Sequence, residues 1–273
     1  MSLNSPAGID QSALTCLLDD ACFTRKHRKI WFLSSMGILL DGFDLFVLSV
    51  ALPLIIHYFG ATALQAGLIG AAATLGAIAG SVIGGRLTDK YGRKKIFLLD
   101  LGLFVIAAIC CGMAWSVESL ILFRFILGLG VGADYPICAS YVSEFMPKNI
   151  RGRMLIGAFS FQAVGIFLAA AIGLLILVLY PNELAWRFML LVGAIPATII
   201  LVARRDIPES ARWHMKRGET TDAIRIICKT LHDLPGAMKD CISQFRISHP
   251  TINEKPDVKS QPYSVLFSKE MRK

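Results

Sequence analysis

Six stretches of this sequence stay apolar for about the thickness of a lipid bilayer, and no other feature constrains the fold as strongly. They cover 30–59, 65–87, 96–115, 120–145, 154–179 and 186–202. A helix needs about 20 apolar residues to cross the hydrocarbon core, so each stretch is expected to be a transmembrane helix. The expected fold class is an all-α membrane protein, a six-transmembrane-helix bundle. Of the 273 residues, 55% are hydrophobic and only 18% charged. Soluble domains carry about 25% charged residues, so a soluble domain and a disordered chain are both excluded.

The basic residues gather at alternate connections. Arg25, Lys26, Arg28 and Lys29 precede the first stretch; Lys90, Arg93, Lys94 and Lys95 separate the second from the third; Lys148, Arg151 and Arg153 separate the fourth from the fifth; Arg204, Arg205, Arg212, Lys216 and Arg217 follow the sixth. The opposite connections, around Gly60, Val117 and Asn182, hold no Lys or Arg. By the positive-inside rule both termini are cytoplasmic, in a multi-pass protein of the cell (cytoplasmic/inner) membrane. The net charge of +8 is therefore a topology signal, and nucleic acid is not an expected partner.

The chain divides into an N-terminal arm (1–29), a membrane domain (30–203) and a cytoplasmic segment (204–273). Short amphipathic helices are expected over 208–216 and 220–231, and a polar linker over 248–262. No cleavable signal peptide is expected, because the residues before Arg25 are polar and acidic and the first apolar stretch is too long for one. The cysteines lack metal or redox spacing and read as small apolar filler; no cofactor and no metal are expected. Gly76, Gly80 and Gly84, like Gly128 and Gly132, recur every fourth residue, a spacing that lets helix backbones approach closely. Gly128, Gly130 and Gly132 lie inside an apolar helix and are not a dinucleotide loop.

Ionisable groups inside a bilayer cost at least about 2.5 kcal/mol each at the helix centre, so those retained are functional candidates. Asp41 and Asp44 fall roughly 17 and 21 Å along the first helix from Ile30, on one face. Asp134 lies roughly 15 Å from Glu144 on the fourth helix, and Gln162 roughly 12 Å beyond Met154 on the fifth, so all four share the midplane. Carboxylates crowded at low dielectric do not all ionise cheaply, which suits Asp41, Asp44 and Asp134 to carrying protons. Tyr135 offers a phenolic donor beside Asp134, and Pro136 loosens the helix there. Arg124 reads as the only cation well inside a helix, placed either to help hold an anion or to pair with an acid or with backbone carbonyls. At the cytoplasmic helix ends Asp89, Arg93, Glu144, Arg151, Glu209 and Arg212 mix both signs, and cross-helix pairs among them would latch one conformation.

These spacings resemble the major facilitator superfamily over nearly the whole chain. Residues 85–95, Gly-Arg-Leu-Thr-Asp-Lys-Tyr-Gly-Arg-Lys-Lys, are similar to its signature between the second and third helices. Arg124, the 128/130/132 glycines, Ser143-Glu144, Pro147 and Arg151-Gly152 resemble the sugar-porter-type fourth helix, and 208–213, Pro-Glu-Ser-Ala-Arg-Trp, resembles that group's motif after helix six. Asp41-Gly-Phe-Asp44, Asp134-Tyr135-Pro136 and Gln162 are most similar to phosphate:proton symporters. The resemblance implies proton transfer by Asp41, Asp44 and Asp134, and phosphate contact by Tyr135 and Gln162. Members have twelve helices in two six-helix halves, each half a pair of inverted three-helix repeats. A chain of 273 residues is thus expected to supply the amino-terminal half and to meet a second one.

The expected function is proton-coupled symport of a small anion, phosphate foremost, by alternating access, with Tyr135, Gln162 and Arg124 contacting substrate. Organic or aromatic acids and sugars are the alternative substrates; a non-transporting membrane sensor or truncated relic is the alternative of another class. No HExxH, GxSxG or P-loop occurs, so an enzyme is not expected.

Overall fold

The first helix starts where the Thr24 hydroxyl accepts the His27 backbone N–H and ends at Gly60, whose left-handed conformation (φ 62°) turns the chain back. The computed structural model describes residues 19, 23–219, 222, 223 and 226 of the chain. Within them run α1 (Arg25–Phe59), α2 (Ala63–Tyr91), α3 (Arg93–Gly112), α4 (Val117–Phe145), α5 (Arg151–Leu179), α6 (Ala185–Val192), α7 (Ala194–Arg204) and α8 (Ala211–Lys216). Six spans are long and apolar enough to cross a membrane, the sixth being α6 and α7 together. The expected single sixth helix is broken at Gly193, which keeps helical angles (φ −59°, ψ −27°). Pro196 has no N–H to give the Val192 carbonyl, so the hydrogen-bond ladder lapses while the axis continues.

The glycine repeats do what their spacing allows. A Cβ at Gly76, Gly80 or Gly84 would strike Phe125, Leu129 or Ala133 of α4, and one at Gly128 or Gly132 would strike Ala73 or Ala77 of α2. On the other side of the bundle Gly165 of α5 meets the Leu39 carbonyl, and Gly42 of α1 meets that of Gln162. Exchanging α1 with α4 and α2 with α5 carries the first contact onto the second, as paired three-helix repeats require. The outer helices keep apolar faces exposed, with Leu64, Leu75 and Ile78 on α2 and Phe167, Leu174 and Val178 on α5. Such faces suit lipid or another apolar surface better than water.

At the end of the bundle that carries the basic connections, α8 is the helix expected over 208–216. Its Trp213 indole N–H donates to the Asp89 carbonyl at 3.1 Å. Arg217 just beyond α8 donates to the Lys90 carbonyl at 3.2 Å. Most of the helix expected over 220–231, the linker and most of the N-terminal arm lie outside the described residues; 222, 223 and 226 are described and helical.

Candidate functional site

Among the described residues, away from the basic end where Arg93 is also buried, the interior of the bundle holds four buried carboxylates and two buried guanidiniums: Asp41, Asp44, Asp100 and Asp134 with Arg124 and Arg204. They are arranged in two ion pairs and one pocket.

The first pair ties α1 to α4. Arg124 Nη1 donates to both oxygens of Asp44 at 2.9 Å. The Arg124 side chain is wholly buried and that of Asp44 nearly so. Of the two roles open to Arg124 from sequence, the structure realises pairing with an acid.

The second pair ties α4 to α7. Arg204 Nη1 donates to Asp134 Oδ1 at 2.8 Å. Its other donors reach the carbonyls of Leu33 at 3.1 Å and Ser34 at 3.3 Å, and its guanidinium lies 3.5 Å from the centre of the Phe97 ring. Arg204, the last residue of α7, is not well inside a helix, yet it joins Arg124 as a second buried cation. Sequence reasoning counted Arg204 among the basic residues that follow the sixth apolar stretch. The available signal was direction: side chains lean toward a helix's N-terminus, so an arginine in the last turn of α7 points back into the bundle. Space for the pair comes from Gly37, where a Cβ would run into the Asp134 carboxylate and the Arg204 guanidinium.

The pocket lies between α1, α3 and α4. Gly37, Asp41, Asp100, Phe104, Gly130 and Asp134 are among its walls, and it has room for about one water molecule. Asp100 is the residue sequence reasoning missed. It stands only four positions beyond Ile96, close to the basic end of the third apolar stretch, yet it is 3% exposed.

Tyr135 and Gln162 flank this level. Tyr135 is half-buried, stacks on Phe159 with ring centres 6.0 Å apart, and lies within electrostatic reach of Asp41 and Asp134. Gln162 packs across Gly42, between the two acids of α1.

At the basic end a cross-helix pair forms between α3 and α4. Glu144 pairs with Arg93 at 2.7 Å, not with the neighbouring Arg151, and Asp89 stands 3.9 Å from Arg93. Arg151 and Arg212 instead converge on Asp19 of the N-terminal arm, Arg212 at 2.6 Å. Burial pushes the Asp19 carboxyl up, but the two guanidiniums outweigh it and hold the group below the usual carboxylate range. Glu209 caps α3, accepting the Arg93 and Lys94 backbone N–H groups at 2.9 and 3.1 Å. Gly92 makes this possible: it has φ 101°, and a Cβ there would lie 2.6 Å from Glu209 Oε2.

The family model described as "Sugar (and other) transporter" matches residues 30–271. The chain belongs to the major facilitator superfamily, to its sugar-porter-type group. This facilitator chain is 38% identical over 210 residues to the probable metabolite transport protein CsbC of Bacillus subtilis, covering 77% of the chain and 44% of that protein. It is 32% identical over 222 residues to the probable inorganic phosphate transporter 1-8 of Arabidopsis thaliana, covering 72% and 42%. It is 31% identical over 216 residues to the benzoate transport protein of Acinetobacter baylyi, covering 77% and 45%. The solved structure of the proton:xylose symporter XylE bound to 6-bromo-6-deoxy-D-glucose shares the fold with a TM-score of 0.72 at 23% identity, over 81% of the chain and 53% of that structure. The facilitator chain thus spans about half the length of these relatives, and its architecture is that of an amino-terminal half.

Proposed function

We propose that the chain forms the amino-terminal half of a proton-coupled symporter that moves a small oxyanion, inorganic phosphate foremost, by alternating access. The observation that carries this reading is the level shared by Asp41, Asp134, Tyr135 and Gln162 inside the bundle. Four carboxylates against two guanidiniums leave an excess of negative charge there. An anion approaches only after protons have reduced that charge, so proton and substrate binding help one another. Protonating Asp134 also loosens its hold on Arg204. The Tyr135 hydroxyl and the Gln162 amide then donate to the oxyanion, while Asp41 and Asp44 carry further protons. Arg124 serves by holding Asp44. The basic end faces the cytoplasm, and Arg93, Glu144, Asp89 and Glu209 close it as a gate, with Arg151 and Arg212 fastening the arm.

Similarity to a phosphate transporter and to a benzoate transport protein supports an anion without separating the two substrates. The test is uptake into proteoliposomes that hold this chain with a second six-helix half, using phosphate, benzoate and xylose with and without an imposed pH gradient. The expected result is pH-driven phosphate accumulation that Asp134→Asn abolishes. Unchanged accumulation by Asp134→Asn refutes its proton role, benzoate accumulation in place of phosphate selects the organic-acid reading, and movement of no solute favours a membrane sensor.

A further inference from the structure

We propose that Asp100 of α3 is a further proton-carrying residue, sharing a proton with Asp134 across the α3–α4 contact; this rests on the transport reading above. α3 and α4 approach closely at this level, since a Cβ at Gly130 would lie 2.8 Å from the Asp100 backbone carbonyl. Asp134 stands one turn beyond Gly130 on the same helix, and both carboxylates line the one pocket.

Asp100 is 97% buried, being 3% exposed, and Asp134 is 5% exposed. Asp100 Oδ1 accepts from the Leu101 backbone N–H, and Asp134 Oδ1 is taken by Arg204. The second oxygen of each, and Oδ2 of Asp41, is buried without a hydrogen-bond partner. Two ionised carboxylates only accept hydrogen bonds, so their orphan oxygens cannot satisfy one another. A proton between Asp100 and Asp134 turns one into a donor and satisfies both, directly or through a single water in the pocket. Leaving such oxygens unpaired at low dielectric is expensive.

The charge count points the same way. The charged groups around Asp100 are Asp134 from α4 and Arg204 from α7, with Asp41 from α1 on the same pocket wall; α2 and α6 contribute nothing to the pocket walls. One guanidinium therefore serves three carboxylates, because Arg124 is engaged by Asp44. A bound metal ion is the less suitable remedy: among the described residues, the carboxylate or imidazole set close enough to ligate one is His214, Glu219 and Asp222, outside the bundle.

The step balances simply. The O–H bond on Asp100 breaks as one forms on Asp134; Asp134 becomes neutral and Asp100 takes the negative charge. Arg204 lies within electrostatic reach of both, so the carboxylate that compensates it changes from Asp134 to Asp100, and the α4–α7 tie loosens without stranding a buried cation.

The experiment is infrared difference spectroscopy of the full chain in nanodiscs across a pH titration, read at the protonated-carboxyl carbonyl stretch, with uptake measured in parallel beside a second half. Wild type is expected to show a titrating band that Asp100→Asn diminishes, and Asp100→Asn is expected to move the midpoint of the Asp134 component by about one pH unit, a tenfold change in proton affinity. Asp100→Glu is expected to restore the band. In uptake, Asp100→Asn retains substrate exchange and loses pH-driven accumulation. An identical band in wild type and Asp100→Asn overturns the proposal, as does a band that responds to sodium at fixed pH. Normal pH-driven uptake by Asp100→Asn overturns it while leaving the transport reading intact; a titrating Asp100 band with no uptake in any pairing sinks the transport reading and leaves the shared proton standing.

Discussion

Arg204 Nη1 donates to Asp134 Oδ1 at 2.8 Å, joining the last turn of α7 to the middle of α4 with the arginine side chain wholly buried. Desolvating both charges costs much of what their attraction returns, so the pair is a poor source of net stability but a costly one to break on one side. Under the proposed transport cycle Asp134 changes partner, and that balance suits it.

Removing one member should therefore hurt more than replacing both. Arg204→Met leaves Asp134 buried against an apolar chain, and a loss of about 3–5 kcal/mol is expected. Arg204→Met combined with Asp134→Leu removes the uncompensated charge and should recover most of it. Thermal unfolding of the four species in detergent measures the coupling, and strictly additive losses would refute the pair's energetic role.

Gly37 supplies a steric counterpart. A Cβ there meets the Asp134 carboxylate and the Arg204 guanidinium, whereas one at Gly102 of α3 meets nothing within 4 Å. Gly37→Ala should destabilise by about 1–3 kcal/mol through overpacking. Gly102→Ala should stabilise by about 0.5–1 kcal/mol, because alanine loses less backbone entropy in a helix. Equal melting temperatures for the two variants would show that the pair at Asp134 can shift at no cost.

These residues also mark how far the sequence could be read. The bundle was legible because hydrocarbon demands long apolar runs, and the α2–α4 contact because small residues every four positions have few other uses. Asp41, Asp44 and Asp134 stood out because an acid deep inside such a run is rare. Asp100 and Arg204 did not, because each lies within a turn or two of a basic connection, where a charge can ordinarily reach water. Distance along the chain does not tell which way a side chain turns, and both turn inward. The pairs made by Asp19 were hidden for a related reason: it belongs to the arm, far in sequence from Arg151 and Arg212, and only packing brings the three together.

Asp19 should respond to acid. Its carboxyl is held below the usual range when docked, so docking favours the ionised form. The contribution is complete above the unfolded carboxylate value, near 3.8, and is lost as pH falls through the lower docked value. The arm should stay docked from pH 7 to pH 5 and release only below about 4. Spin labels at Phe23 and Lys216 report the separation. Asp19→Asn should release the arm at all pH values, and high salt should weaken docking because the pairs are partly exposed. A separation that stays constant in the variant and in acid would exclude the ion pairs as the fastening.

Arg93 lies at the centre of the basic-end charge cluster, with Glu144 at 2.7 Å and Asp89 at 3.9 Å, and its side chain is 8% exposed. Arg93→Ala strands Glu144, whose side chain is 11% exposed, and the α3–α4 contact should open to let water reach it. Cys138 provides a native reporter: it is wholly buried, and it precedes Glu144 by six residues, roughly 9 Å of helix. With the other cysteines replaced by alanine, maleimide labelling of Cys138 should rise several-fold in Arg93→Ala and less in Glu144→Gln, where the arginine retains Asp89. Glu209→Gln keeps the shape of the α3 cap while removing its charge and should fall between them. Labelling as slow in Arg93→Ala as in the parent would mean that packing alone keeps this end closed, and the latch would have to be abandoned.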